Sequence, residues 1–312
     1  MRIDVHAHYY PPEFTKGYGR ETTAGRNALT SPGGKVTLGE RVDMLREAGI
    51  DLQVLCVGAQ QPDFDKAEEA MAVAKWANDL YADTCKGFDG RFAAFGATPL
   101  PHVDAAIEEA GRCLDSLGML GINVGTSVAG RPLDDPEFAP FFAELDRREA
   151  VLFLHPLGIG GPNMDAYGLD FMIGVCFEDT VASVRLVMSG LSARYPNIKI
   201  IVPHLGGTLP FLMQRLDDAV GRQLRAGIKP AVEKPSEAVR SFYWDTVNDY
   251  PPALRLACEA FGADHIMLGT DFPFILFKSC VEYVQKSGLP ADDIDAILER
   301  NAARVLGVDG AT

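Results

Sequence analysis

Imidazoles and carboxylates are the side chains that bind divalent cations and move protons near neutral pH. In this sequence they recur at one kind of position. His6 and His8 stand two residues apart at the end of the run Arg2-Ile-Asp-Val-His6. His155 ends Val151-Leu-Phe-Leu, His204 follows Ile198–Pro203, and Asp271 follows Ile266–Thr270. Each of these four segments is short, apolar and rich in branched residues, the pattern of a strand buried on both faces. Side chains alternate faces along a strand, so His6 and His8 point the same way. Neutral imidazole and carboxylate suit a divalent first-row metal, zinc most commonly. A ligand set with an open position lets a bound water ionise near neutral pH. Taken singly, each histidine also fits a hydrogen-bonded loop or core residue; the argument for a site lies in their shared place at strand ends.

The elements that must position them follow one rhythm. Apolar runs at Arg2–His6, Leu52–Val57, Arg91–Thr98, Leu120–Gly125, Val151–His155, Ile198–Pro203, Ser241–Val247 and Ile266–Thr270 alternate with helical patterns. Those patterns cover Leu38–Ala48, Asp65–Phe88, Val103–Leu117, Pro136–Arg148, Thr180–Tyr195, Pro210–Ala226, Pro251–Phe261 and Pro290–Leu298. Proline near helix starts and glycine just past their ends fit the usual asymmetry. The alternation predicts an α/β fold, a (β/α)8 TIM barrel forming one domain over residues 1–312. A doubly wound open sheet would be expected to place a glycine-rich nucleotide loop where His6-Ala-His8 stands. In a barrel the C-terminal strand ends share one rim, so His6, His8, His155, His204 and Asp271 converge there. His102 begins a helix and His265 precedes a strand at the opposite rim, and both are read as structural. Two polar insertions, residues 9–35 and 158–174, leave from the active rim and are expected to form lids or substrate walls.

The composition narrows the class further. A net charge of −14 argues against nucleic acid and against anionic membrane surfaces as partners. With 47% hydrophobic and 23% charged residues, the 312-residue chain can build a core without staples. The 6 cysteines form no CxxC motif and lie mostly in apolar runs such as Val54-Leu-Cys56-Val. Met1-Arg-Ile-Asp-Val-His6 lacks the apolar stretch of a signal peptide, and no run reaches the roughly 18 apolar residues of a membrane span. A cytoplasmic protein is expected.

The motifs Asp4-Val-His6-Ala-His8, His155-Pro, Pro203-His204-Leu-Gly-Gly and Leu268-Gly-Thr-Asp271-Phe-Pro-Phe274, with the tail Asn301-Ala-Ala-Arg-Val-Leu-Gly307, together resemble the amidohydrolase superfamily. Within it they resemble the aminocarboxymuconate-semialdehyde decarboxylase-like branch, and the ordered set spans essentially the whole chain. The resemblance implies one divalent metal ion, zinc or else manganese, held by His6, His8, His155 and Asp271. It implies that His204 is a catalytic residue beside that metal and that Asp271 serves as acid/base as well as ligand. Many superfamily members bridge two metals with a modified lysine at the end of strand four or five. Leu120-Gly-Ile-Asn-Val-Gly-Thr and Val151-Leu-Phe-Leu-His carry none, so a mononuclear site is expected. Arg215, on the helix after strand six, matches an arginine that reaches a substrate carboxylate across a dimer interface, which implies a homodimer. A guanidinium fork suits a carboxylate on physical grounds as well. Phe274 matches an aromatic beside the substrate, and Glu178 and Asp245 are expected to orient the ligands. The loop after strand one, which holds Arg20 and Arg26, differs from the branch's decarboxylase in length and sequence. The loop after strand five offers Tyr167 and Phe171 where a tryptophan is often seen. The implied activity is metal-dependent, non-oxidative decarboxylation of a small unsaturated or aromatic carboxylic acid. Hydrolysis of a lactone, amide or ester, or hydration, is the alternative on the same scaffold.

Overall fold

The computed structural model describes residues 1–11, 14, 30–158, 163–164 and 166–308. Arg20, Arg26, Gly160 and Gly161, and with them much of the two rim insertions, lie outside the described residues. Eight parallel strands follow one another around the sheet: β1 (Ile3–His8), β2 (Leu52–Cys56), β3 (Phe92–Ala97), β4 (Gly121–Gly125), β5 (Val151–His155), β6 (Lys199–Val202), β7 (Tyr243–Asp245) and β8 (Ile266–Met267). The sheet closes on itself at the β8–β1 seam. There Val5 N donates to Leu268 O at 2.9 Å and Asp271 N to His6 O at 2.8 Å. This is the (β/α)8 barrel that the alternating pattern predicts. The outer helices are α1 (Leu38–Ala48), α2 (Ala67–Lys86), α3 (Val103–Asp115), α4 (Ala139–Arg147), α5 (Val175–Met188), α6 (Leu209–Arg225), α7 (Pro251–Phe261) and α8 (Phe277–Gln285).

Local chemistry sets the helix ends. Thr37 and Glu40 form a reciprocal capping box at the start of α1, and Gly49 closes it with φ of 68°. Two helices depart from the sequence reading. α5 begins at Val175 rather than near Thr180, entered through a π-helical turn over Asp170–Gly174. Phe171, Met172, Phe177 and Val181 are exposed on this stretch, so it lacks the polar face that marks a helix by its period. α8 starts at Phe277 with neither a capping side chain nor a proline, which hides it from pattern reading.

The barrel interior is filled by Ile3, Val5, Val54, Phe95, Phe153 and Ile201, and the C-terminal helix (Asn301–Leu306) packs against this cluster. A second apolar layer lies between strands and helices. Each fully buried aliphatic side chain contributes about 1.5–3 kcal/mol.

An irregularity in the β1–β2 register between Asp4 and Ala7 matters for the site. Val5 packs in the interior, and the His6 ring lies 5.0 Å from that of interior Phe153, while Ala7 belongs to the outer layer. The bulge therefore lets Asp4 face the helix layer while His6 and His8 face the mouth. There Asp4 accepts from Gln53 Nε2 at 2.5 Å, from Thr270 Oγ1 at 2.6 Å and from Thr270 N at 3.0 Å. Buried Arg41 extends this network, donating to Gln53 Oε1 at 2.6 Å and to His8 O at 2.8 Å. The seam carrying His6, His8 and Asp271 is thereby cross-tied from behind.

Candidate metal centre and active site

Five polar side chains from four strand ends meet at the C-terminal rim. His6 and His8 belong to β1, His155 ends β5, His204 follows β6 and Asp271 follows β8, and all five are buried. One potential ligand atom from each of His6, His8, His155 and Asp271 lies within 4.8 Å of the others. Asp271 Oδ1 stands 3.2 Å from His6 Nε2 and 3.0 Å from His8 Nε2. His204 is outside this group, with its Nε2 3.9 Å from Asp271 Oδ2.

The other ring nitrogens reveal the tautomers. His6 Nδ1 lies 2.6 Å from Asp245 Oδ2, His8 Nδ1 3.2 Å from Cys56 O, and His155 Nδ1 2.7 Å from Pro156 O. Each partner is an acceptor, so each Nδ1 carries the hydrogen and donates it. With the rings neutral, the three Nε2 atoms would present bare lone pairs to one another. His6 and His8 Nε2 are 3.2 Å apart, and His155 Nε2 is buried with no hydrogen-bond partner among the described residues. Burial opposes charge on His6, yet the carboxylates of Asp245 and Asp271 outweigh it and lift His6 to about 9. Burial, with His8 and His6 nearby, holds His155 well below its ordinary value. A proton on His6 would satisfy the His6–His8 contact and leave His155 orphaned. A divalent cation would satisfy all three nitrogens and the carboxylate, so the residues fit a metal ion of N/O preference.

His204 stands on an unusual turn. Residues His204, Leu205, Gly206 and Gly207 have φ of 55°, 54°, 69° and 62°. A side chain at Gly207 would run into the Cys176 carbonyl, and one at Gly206 into the Trp244 ring, so the His-Leu-Gly-Gly sequence is a steric requirement. Asp245 accepts from the His204 backbone N at 2.8 Å with Oδ1 while its Oδ2 takes His6. The His204 ring meets Asp179, whose Oδ2 is 2.8 Å from Nδ1. Burial opposes charge on His204, but Asp179 and then Asp271 hold it well above the ordinary histidine range. Burial pushes Asp271 up, and positive charge on His6 with the His204, His6 and His8 rings facing the carboxylate more than reverses that.

Of the two acids expected to orient the ligands, Asp245 touches His6. Glu178 instead accepts from Thr126 Oγ1 and Leu157 N, both at 2.7 Å, and so holds the chain just past His155. Asp179, its neighbour, was not singled out in the sequence. It sits inside a helix, and no strand end marks it.

Above the ring opens a cavity of about 510 Å³, lined by His155, His204 and Asp271 and walled by Tyr10, Phe171 and Phe274. The Tyr10 ring stacks on His8 at 5.7 Å, and Phe274 lies 5.9 Å from His8. Phe171 covers Phe274 at 5.3 Å, whereas Tyr167 points to solvent. Arg215 is exposed on α6 and does not line this cavity. His102 and His265 bond Phe64 O and Phe242 O, away from the ring. No described helix is long and apolar enough to cross a membrane.

The chain matches the amidohydrolase family over residues 3–308. It is 29% identical over 277 residues to 2-amino-3-carboxymuconate-6-semialdehyde decarboxylase of Dictyostelium discoideum, covering 86% of this chain and 76% of that protein. It is 30% identical over 293 residues to gamma-resorcylate decarboxylase of Rhizobium sp. (strain MTP-10005), covering 87% of each. Among solved structures it resembles the dihydroxybenzoic acid decarboxylase of Polaromonas sp. JS666, which holds manganese and the inhibitor 2-nitroresorcinol. The TM-score there is 0.82 at 25% identity, over 98% of this chain and 96% of that one. The chain therefore belongs to the amidohydrolase family, in the branch of aminocarboxymuconate-semialdehyde decarboxylase-like members.

Proposed function

We propose that this protein is a metal-dependent, non-oxidative decarboxylase of a small aromatic or unsaturated carboxylic acid, with His6, His8, His155 and Asp271 as ligands of one divalent ion. The observation that carries the reading is the set of three converging imidazole nitrogens and one carboxylate, of which His155 and Asp271 line an aromatic-walled cavity. The donor set accepts zinc and manganese alike. Manganese in the Polaromonas relative is a reason to test both.

A cation held there supplies Lewis-acid stabilisation of negative charge on a substrate oxygen. The protein's own groups do the rest. Tyr10 and Phe274 flank a flat ring and exclude water from it. The bond between ring carbon and carboxyl carbon breaks, its electron pair stays on the ring carbon, and carbon dioxide leaves. A proton must then reach that carbon. Asp271 and His204, 3.9 Å apart, are the groups that deliver it. The negative overall charge does not forbid an anionic substrate, because a cation at contact distance in a partly dry site dominates.

The exposed Arg215 makes no hydrogen bond or ion pair among the described residues, and Phe211 one turn away is 81% exposed. Both support a homodimer in which Arg215 serves the neighbouring protomer's substrate carboxylate. The six free cysteines agree with a cytoplasmic location. On this reading the partners are a small carboxylate and a second copy of the chain, with neither nucleic acid nor membrane.

The test is release of carbon dioxide from 2-hydroxybenzoate-type and muconate-type acids by protein loaded with zinc or manganese, without oxygen or nicotinamide. Carbon dioxide without added redox cofactor is the expected result. Turnover of lactones, amides or esters with no carbon dioxide from any acid would overturn it.

A further inference from the structure

The metal-facing groups and His204 come from strand ends, but among the described residues the carboxylate that meets the His204 ring does not. Asp179, near the start of α5, is fully buried and aims Oδ2 at His204 Nδ1, 2.8 Å away. Its Oδ1 is buried with no hydrogen-bond partner among the described residues. A carboxylate kept half unsatisfied inside a protein is an expensive structural device, and among the described residues this one serves a single histidine.

We propose that Asp179 is the positioning residue for His204, fixing Nδ1 as the hydrogen-bearing nitrogen and leaving Nε2 to face Asp271 and the cavity. The inference rests on the reading of His204 as a catalytic group. An ionised carboxylate only accepts, so Nδ1 must carry a hydrogen whether the ring is neutral or charged. Nε2 is then a lone pair or an N–H, and in either state it points at Asp271 Oδ2, 3.9 Å away. Nothing else among the described residues does this. Asp245 accepts from the His204 backbone and not from its ring. Glu178 turns to Thr126 and Leu157. The left-handed turn fixes the His204 backbone but leaves the choice of tautomer open.

Two measurements test it on the full-length zinc-loaded enzyme. In long-range nitrogen–proton NMR spectra, His204 Nδ1 is expected to be the hydrogen-bearing nitrogen; a hydrogen-free Nδ1 in the wild type would overturn the proposal and requires no variant. In Asp179→Asn the amide can donate, which permits the opposite tautomer in a nearly unchanged volume. Nε2–H signal is expected to appear, and kcat to fall about 100-fold or more while KM and bound zinc stay within threefold. In a His204→Ala background the same substitution is expected to cost nothing further, because Asp179 acts only through the ring. Unchanged kcat in Asp179→Asn, a loss of zinc in step with kcat, or an equal cost with and without His204 would each refute the role. Full activity in His204→Ala alone would instead remove His204 from the chemistry, a failure of the underlying reading that the wild-type spectrum tells apart.

Discussion

Two imidazole–carboxylate pairs of nearly equal geometry lie on opposite sides of this site. On the β1–β7 side His6 Nδ1 meets Asp245 at 2.6 Å; on the β6–α5 side His204 Nδ1 meets Asp179 at 2.8 Å. Both acids are fully buried. The rings differ in what their far nitrogen faces. His6 Nε2 looks onto His8 Nε2 and Asp271 Oδ1, each at 3.2 Å, while His204 Nε2 faces Asp271 Oδ2 at 3.9 Å beside the open cavity. A buried acid thus sets the tautomer in both places. The neighbours of Nε2 then decide whether the ring joins a cluster fit for a cation or stands free to handle a proton. Asp271 joins the two halves, one oxygen toward each.

The strongest way to break this contrast is to remove the cation-facing half. The double variant His6→Ala/His8→Ala is expected to lose its bound metal and essentially all activity, a drop of 1000-fold or more. Metal analysis of the purified protein checks this, and undiminished metal content would refute the ligand assignment. Removing the other half should separate the two properties. His204→Ala is expected to keep about one metal per chain while kcat falls roughly 100- to 10,000-fold, the usual range for a lost general acid or base. If metal and activity vanished together in that variant, the two sides would be one cluster.

How much of this was legible beforehand depends on where each residue sits. The ring residues could be read because a histidine or aspartate directly after a buried apolar run has little other business there, and a barrel sends all such ends to one rim. The cross-ties were not legible. Asp4 has the same strand parity as His6 and His8, and only the β1 bulge turns it toward Gln53 and Arg41. Asp179 lies in a helix whose exposed Phe177 and Val181 blur its period, so sequence spacing could not single it out from Glu178. The two glycines after His204 were visible as a motif, but their reason, the Cys176 carbonyl and the Trp244 ring, belongs to other elements.

Acidity sharpens the contrast more gently. In metal-free protein the carboxylates beside His6 lift it to about 9, so at neutral pH a proton occupies the cluster that a cation would take. Binding must expel it, and the apparent metal affinity is expected to rise about tenfold per pH unit between roughly pH 7 and 8. Calorimetric titration in buffers of different ionisation heat should show about one proton released per cation. Because the folded value is raised, His6 stabilises the metal-free fold fully below its unfolded pKa of about 6.5, and that contribution is lost as pH rises through about 9. Metal binding without proton release would place the proton elsewhere.

The smallest expected effect tests the two adjacent acids of α5 against each other. Glu178 Oε2 accepts from Thr126 and Leu157 N, so it braces the chain after β5 without touching an imidazole. In Glu178→Gln an amide oxygen can still accept both bonds, more weakly because the charge is gone. A loss of about 1–3 kcal/mol in stability is expected, with metal content intact and kcat within about fivefold. Thermal unfolding and kinetics on the same sample measure both. A collapse of kcat as deep as that expected for Asp179→Asn would mean that α5 braces the rim as one unit, and that the ring contact of Asp179 carries no special role.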